Sequence, residues 1–434
     1  MLFYKKGSSG YRVGCGVLKF QCSGEMRSGM LFAECRAGDG CRAECTVNHF
    51  ALCTLRFALP RRLRCESRAK SLKRLTSNLY PLTFTLLLLL FGCQEKKPSA
   101  HSVPSHTVVD SHGVSVAVPD TVKRVACLDV LCYSIMLTVG EADKVVSSQV
   151  NAGLAPWVSR VRPLDGILML QTTPGVENLL NQHADVVIGG YGGVQETQQY
   201  VTAGIVQLHA QPNVSRFQSY RQFVESQKRM VRIYGEILGP KVKARAEDWC
   251  QWYEEKIRWV TGRTDTLTHR PKTYFVRGPS PLITHGPGGY VYWYGEMAGA
   301  DMVVKNDSDI EGKGELSMEE LLRWDPEIIF VGRQNHLSVV TQNPSWKNIQ
   351  AVRTHQILAM PGGVFFWDGG PECGLLLLYL AKHLHPGLFP DLDLRKEVQA
   401  YYRRFYACSL SDTEADQLLQ GLDSQGHREN SQGI

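Results

Sequence analysis

Apolar positions between residues 240 and 263 fall at helical steps. Val242, Ala246, Trp249, Tyr253, Ile257 and Val260 recur every three or four residues with charges between them, which is one face of a long helix. Pro240 suits a first helical position, and Gly239 ends a preceding helix over 217–238. The segments flanking this pair of helices echo one another. Val176-Glu177-Asn178-Leu179-Leu180 leads into Asp185-Val186-Val187-Ile188, and 142 residues later Met318-Glu319-Glu320-Leu321-Leu322 leads into Glu327-Ile328-Ile329-Phe330. Each copy reads as a short helix feeding a buried strand of a parallel sheet. The pattern therefore predicts an α/β chain: two Rossmann-like lobes with parallel sheets, joined by one long backbone helix. The ligand cleft belongs between the lobes, at the carboxyl ends of the strands.

The remaining elements fit that plan. Thr107 to Asp110 and Val114 to Pro119 alternate around Ser111-His112-Gly113 as a hairpin. Arg124 to Leu128 is a buried strand, its helix ends at Gly140, and Lys144 to Val146, Asp185 to Ile188 and Gly204 to Leu208 are further strands. Lobe two repeats the plan with Thr273 to Val276, a helix near Trp293 to Ala298, the echo unit and Ile357 to Met360. Leu375 to His385 and Leu394 to Phe405 read as closing helices. The expected boundaries are a lobe over 107–239, the helix over 240–263, a second lobe over 264–420 and a tail over 421–434.

Composition changes the picture mainly at the front. The formal charge of +6 comes from residues 1–70, with 13 Lys and Arg against 5 Asp and Glu; residues 93–434 hold 33 against 37. A basic front is no argument for nucleic-acid binding by the folded part. Cysteine is as uneven, with seven of 13 before residue 70. Cys35, Cys41, Cys45 and Cys53 lack the close paired spacing of a zinc knuckle. Residues 1–69 show no clear helical or strand period and read as an extension upstream of the true start. Cys127 and Cys132 are read as small buried residues rather than a disulfide.

Lys70, Lys73 and Arg74 precede the apolar run Leu79 to Phe91, which is too short to span a membrane; Gly92-Cys93 and a polar stretch come next. Residues 70–92 thus read as a signal peptide and 93–106 as a tether. Leu90-Phe91-Gly92-Cys93 resembles a bacterial lipobox, although Phe91 is bulkier than that motif usually has. The resemblance implies a lipidated (palmitate-bearing) Cys93 and a chain anchored to a membrane of the bacterial cell envelope, facing the periplasm.

In this order, several pieces resemble the periplasmic substrate-binding proteins of ABC importers for ferric siderophores, haem and cobalamin. They are Asp110-x-x-Gly113 with Pro119 and Lys123-Arg124-Val125, the two echo units, His385-Pro386-x-x-Phe389-x-Asp391, and Tyr401-x-x-Phe405-Tyr406. The resemblance implies a monomeric binding protein without enzyme activity or resident cofactor, whose partners are a permease and an ATPase. It implies further that Glu177 and Glu319, one per lobe, dock on permease arginines, with Glu320 as the neighbouring competitor. The expected ligand is an iron chelate, ferric siderophore or haem; cobalamin and molybdate-type oxyanions remain alternatives.

Ligand residues should come just after the strands. Lobe one offers Asp129, Tyr133, Ser134 and Tyr191 within Gly189-Gly190-Tyr191-Gly192-Gly193. Lobe two offers Arg277, His285, Tyr290, Tyr292, Trp293, Arg333, His336 and Trp367, with Gly286-Pro287-Gly288-Gly289 at the rim. Aromatic faces with a few guanidinium groups suit a flat or anionic chelate. Arg277, Tyr191 and Trp367 come after buried strands most directly. His383 and His385 are read as a helix-end pair rather than metal ligands. A cleft enzyme and an adhesive surface lipoprotein are the competing classes. No Gly-x-Ser-x-Gly elbow or His-Glu-x-x-His supports the first.

Overall fold

A computed structural model describes residues 104–427 with side chains, apart from 150–154, 190–197, 213–215, 306–313 and 333–335; the backbone alone is described for 194–197, Lys313 and the strands between Phe3 and Phe57. The chain divides into two units, Met1–Lys96 and Lys97–Ile434. The first carries an antiparallel sheet of seven strands from Phe3–Gly7 to Cys53–Phe57. This differs from the absence of period read in the sequence. Leu18-Lys19-Phe20-Gln21-Cys22 does alternate, within a strand too short to stand out beside the Arg and Cys around it.

The second unit opens with the hairpin Ser105–Val109 and Ser115–Pro119, pinned by buried Val108 and Val118. Asp110 Oδ1 accepts from the amides of His112 and Val114, 2.9 Å each, and Gly113 takes φ +80°. Besides the hairpin and one further antiparallel pair, Ile283–His285 with Lys313–Glu315, the described residues of this unit form two parallel sheets. In the first, the order is Leu168–Met169, Val145–Ser148, Val125–Cys127, Val186–Ile188 and Gln207–Leu208. In the second it is Asp301–Met302, Lys272–Val276, Ile328–Val331 and Ile357–Ala359. In each sheet the opening strand pairs directly with the echo strand. Chain direction across the sheet reverses there, and a crevice opens beyond the carboxyl ends of such a pair.

The helices Tyr220–Leu238 and Pro240–Thr264 connect the sheets. Ser219 caps the first by accepting from Gln222 N, and Gly239 at φ 98° makes the break between them. All six apolar positions read from the sequence in the second helix are buried. The two helices touch so closely that a Cβ on Gly235 would lie 2.5 Å from Lys243 Cα. The second helix also packs under Cys373–Leu384, where Gly374 leaves room for the Trp252 ring and Trp249 Nε1 donates to Pro371 O at 2.9 Å. The connecting helix and the C-terminal segment both reach lobe one: Arg245 Nε donates to Thr138 O at 3.3 Å, Trp157 Nε1 donates to Leu422 O at 2.8 Å, and Arg160 pairs with Glu414. His383 and His385 bond to the carbonyls of Tyr379 and Gly299, and burial lowers the pKa of both, so they are neutral packing groups rather than cations at a helix end.

Candidate functional site

The reversal point of lobe one is built on Asp129. It caps the helix Val130–Thr138, Oδ1 accepting from Cys132 N at 2.7 Å, while Oδ2 accepts from Gln211 Nε2 at 3.4 Å. Gly189 stands opposite at φ +89°, and a Cβ there would come within 2.1 Å of Asp129 Oδ2. Only glycine fits both demands. The same turn brings Cys127 and Cys132 together as a disulfide with Cα atoms 5.4 Å apart, which corrects the unpaired reading. Closing so short a loop stabilises by about 2 kcal/mol on a chain-entropy account.

Tyr133 does not face a ligand. It lies wholly inside lobe one, and burial pushes its hydroxyl up to about 12. Ser134 is equally buried and donates to Leu131 O. Tyr191 and Arg333 lie outside the described residues, as does Cys93.

At the reversal point of lobe two stands Arg277. Its amide donates to Ile283 O at 2.8 Å, and its Nε pairs with Asp368, whose side chain is 2% exposed. Asp368 thereby places a charge partner at the Nε edge of the guanidinium. The terminal nitrogens have no hydrogen-bond partner among the described residues. Trp367 is buried beside the carboxyl of Glu372, with its indole N–H lacking a hydrogen-bond partner among the described residues. The backbone partners of Glu372 are the amides of Val364 and Phe365, so one buried carboxylate fixes the loop that carries Trp367 and Asp368.

His285 ends the strand Ile283–His285, and its ring meets the edge of Tyr290 at 6.0 Å. Tyr290 leans on Phe217 and Phe223, and Phe217 N donates to Gly288 O at 2.9 Å. The helix Tyr290–Met297 starts at Gly289 with no side-chain cap. Exposed Arg216 rests against Gly288 and has no ion-pair partner among the described residues. Tyr292 sits elsewhere, beside Glu296 and Asp301, and burial first and those charges second push it up to about 12. Trp293 packs edge-on against Tyr292 at 5.1 Å, and its indole N–H has no partner among the described residues. His336 is half-buried, with Nε2 likewise unpartnered. Thus Arg277 and Trp367 share one loop system, His285 and Tyr290 share another, and Tyr292 with Trp293 forms a separate pair.

Sequence reasoning missed Arg216, Asp368 and Glu372. The two acids had a signal: each interrupts a glycine- and aromatic-rich stretch, 361–372, where a carboxylate must find partners. Among the described residues, no group of three His, Cys, Asp or Glu could hold a metal ion.

Glu177 and Glu319 stand exposed in the first turns of the helices Val176–Asn181 and Met318–Trp324. Capping separates Glu319 from Glu320. Ser317 N donates to Glu320 Oε2 at 2.8 Å and Ser317 Oγ accepts from Glu320 N, a capping box that uses Glu320 and lowers its pKa. Glu319 is left with no partner among the described residues.

Two parallel sheets joined through a helical backbone, with reversal points at Asp129 and Arg277, are the architecture of the two-lobed periplasmic binding proteins. The chain belongs to the periplasmic binding protein family, whose model matches residues 125–363, and is the binding protein of an ABC importer. It is 25% identical over 354 residues to the molybdate-binding protein MolA of Haemophilus influenzae, covering 75% of this chain and 98% of MolA. The solved structure of MolA bound to molybdate superposes with a TM-score of 0.63 at 23% identity, over 70% of this chain and 99% of that one. Helicobacter pylori CeuE with Ni(II) bound gives 0.58 at 19% identity, over 72% and 99%.

Proposed function

We propose that this protein is a lipid-anchored, monomeric binding subunit that carries an anionic metal species, a molybdate-type oxyanion, between its lobes. The observation that carries the reading is Arg277 at the reversal point of lobe two, a largely buried guanidinium held by charge against Asp368 through its Nε edge. The helix start at Gly289, which no side chain caps, and Arg216 beside Gly288, with no ion-pair partner among the described residues, add to an anion-favouring wall. Similarity to MolA along nearly its whole length supports the same class. A ferric chelate is the second reading, favoured by the half-buried aromatic pair Phe365 and Phe366 on the loop that holds Asp368. On either reading Glu177 and Glu319 are the docking points for the permease, and Cys93 carries the lipid.

A tryptophan-fluorescence titration of the purified protein against molybdate, tungstate, ferric siderophores, haem and cobalamin tests the ligand. Saturable one-to-one binding of molybdate or tungstate is expected. Binding of a ferric chelate alone would replace the first reading by the second, and silence with all five would sink both. For the anchor, labelled palmitate should enter the wild-type protein and not Cys93→Ala; label in both, or in neither, rejects Cys93.

A further inference from the structure

Each docking glutamate has an exposed leucine beside it. Among the described residues seven large apolar side chains are exposed, and two of them, Leu180 at 50% and Leu322 at 39%, occupy equivalent places in the two echo units. Their neighbours Leu179 and Leu321 are 2% and 0% exposed and fasten each helix to its lobe. Residues three apart on a helix share a face, so Glu177 stands with Leu180 and Glu319 with Leu322. Each leucine leaves a large part of its apolar surface in water.

We infer that Leu180 and Leu322 are the apolar halves of a two-point dock, and that the permease of this importer covers them. The inference rests on the docking reading of Glu177 and Glu319 and adds a second kind of contact to it. Each lobe presents one carboxylate and one leucine on a common face, so the partner needs two matching recesses, each a cation beside an apolar wall. The division of labour is physical. The carboxylates set encounter rate and orientation through a salt-screened field. Leucine burial is indifferent to that screening and holds the complex once formed.

The test uses the full protein and its permease–ATPase complex in lipid nanodiscs, with affinity measured at low and high salt. Leu180→Ser and Leu322→Ser should each weaken docking about tenfold, as burial of most of a leucine implies. Their salt dependence should stay that of wild type, whereas Glu177→Gln with Glu319→Gln should flatten it. Ligand binding should be unchanged in every one of these variants, and each should remain folded. If the leucine variants dock as wild type while the glutamate variant does not, this inference fails and the docking reading stands. Should neither set matter, the docking reading itself fails. A leucine variant that loses ligand binding together with docking also overturns the inference, since the residue would then act through the fold.

Discussion

Arg277→Met is expected to weaken ligand binding at least about a hundredfold, the worth of one or two charge-assisted hydrogen bonds. It should also destabilise the protein. Asp368 has only 2% of its side chain exposed, and Arg277→Met takes the cation away from this buried carboxylate, at a cost of about 3–5 kcal/mol. The two effects separate in a second variant. Arg277→Met with Asp368→Asn removes the buried charge while keeping an amide of the same shape, so most of the stability should return and the affinity should not. Denaturant melts and ligand titrations on wild type, single and double variants measure both. Unchanged affinity in Arg277→Met would remove the residue from the site. Affinity that recovers with stability in the double variant would show that Arg277 acts only by holding the loop.

The backbone of this fold was legible because buried elements repeat. The apolar face from Val242 to Val260 and the doubled unit around Val187 and Ile329 are periodic, and burial enforces that periodicity at every position. The family resemblance in ordered motifs rests on the same feature, and the match over 125–363 confirms it. The site was legible only in part. Arg277 comes directly after a strand, so topology placed it. Its partner Asp368 lies some ninety residues on, and no local pattern pairs them. Tyr133 was misplaced for a related reason. A tyrosine one turn into a helix can face a cleft or a core, and the sequence alone does not say how that helix is rotated. The disulfide was missed because its spacing fits a bridge only once Asp129 has folded the chain into a cap. Glu319 and Glu320 were separable in principle, since Ser317-x-x-Glu320 is a capping-box pattern that marks the acid already in use.

Protein stability should fall as pH rises from about 4.5 to about 7, with Glu372 as the cause. This carboxyl is fully buried, and burial raises it from 4.5 to about 7 despite three donors: Tyr402 Oη at 2.6 Å, Phe365 N at 3.1 Å and Val364 N at 3.3 Å. Desolvation outweighs those hydrogen bonds because none of the three donors carries a full charge. The folded state therefore holds a proton that the unfolded state releases. Such a group contributes stability that is fully present below its unfolded pKa and is lost as pH passes through the folded one, by about 3 kcal/mol in all. Glu372→Gln keeps an acceptor for the amides and cannot ionise, so its melts should lose this slope. Glu372→Leu should destabilise at every pH by at least about 3 kcal/mol, because Tyr402 and two amides are left buried without acceptors. The glycine at 363 is bound to the same arrangement, since a Cβ there would sit 2.0 Å from Glu372 Oε1. If the slope between pH 4.5 and 7 persists in Glu372→Gln, another group titrates and the assignment is wrong. If it disappears, loosening of the 363–368 loop above neutrality becomes measurable as a parallel loss of ligand affinity, since that loop holds Asp368 against Arg277.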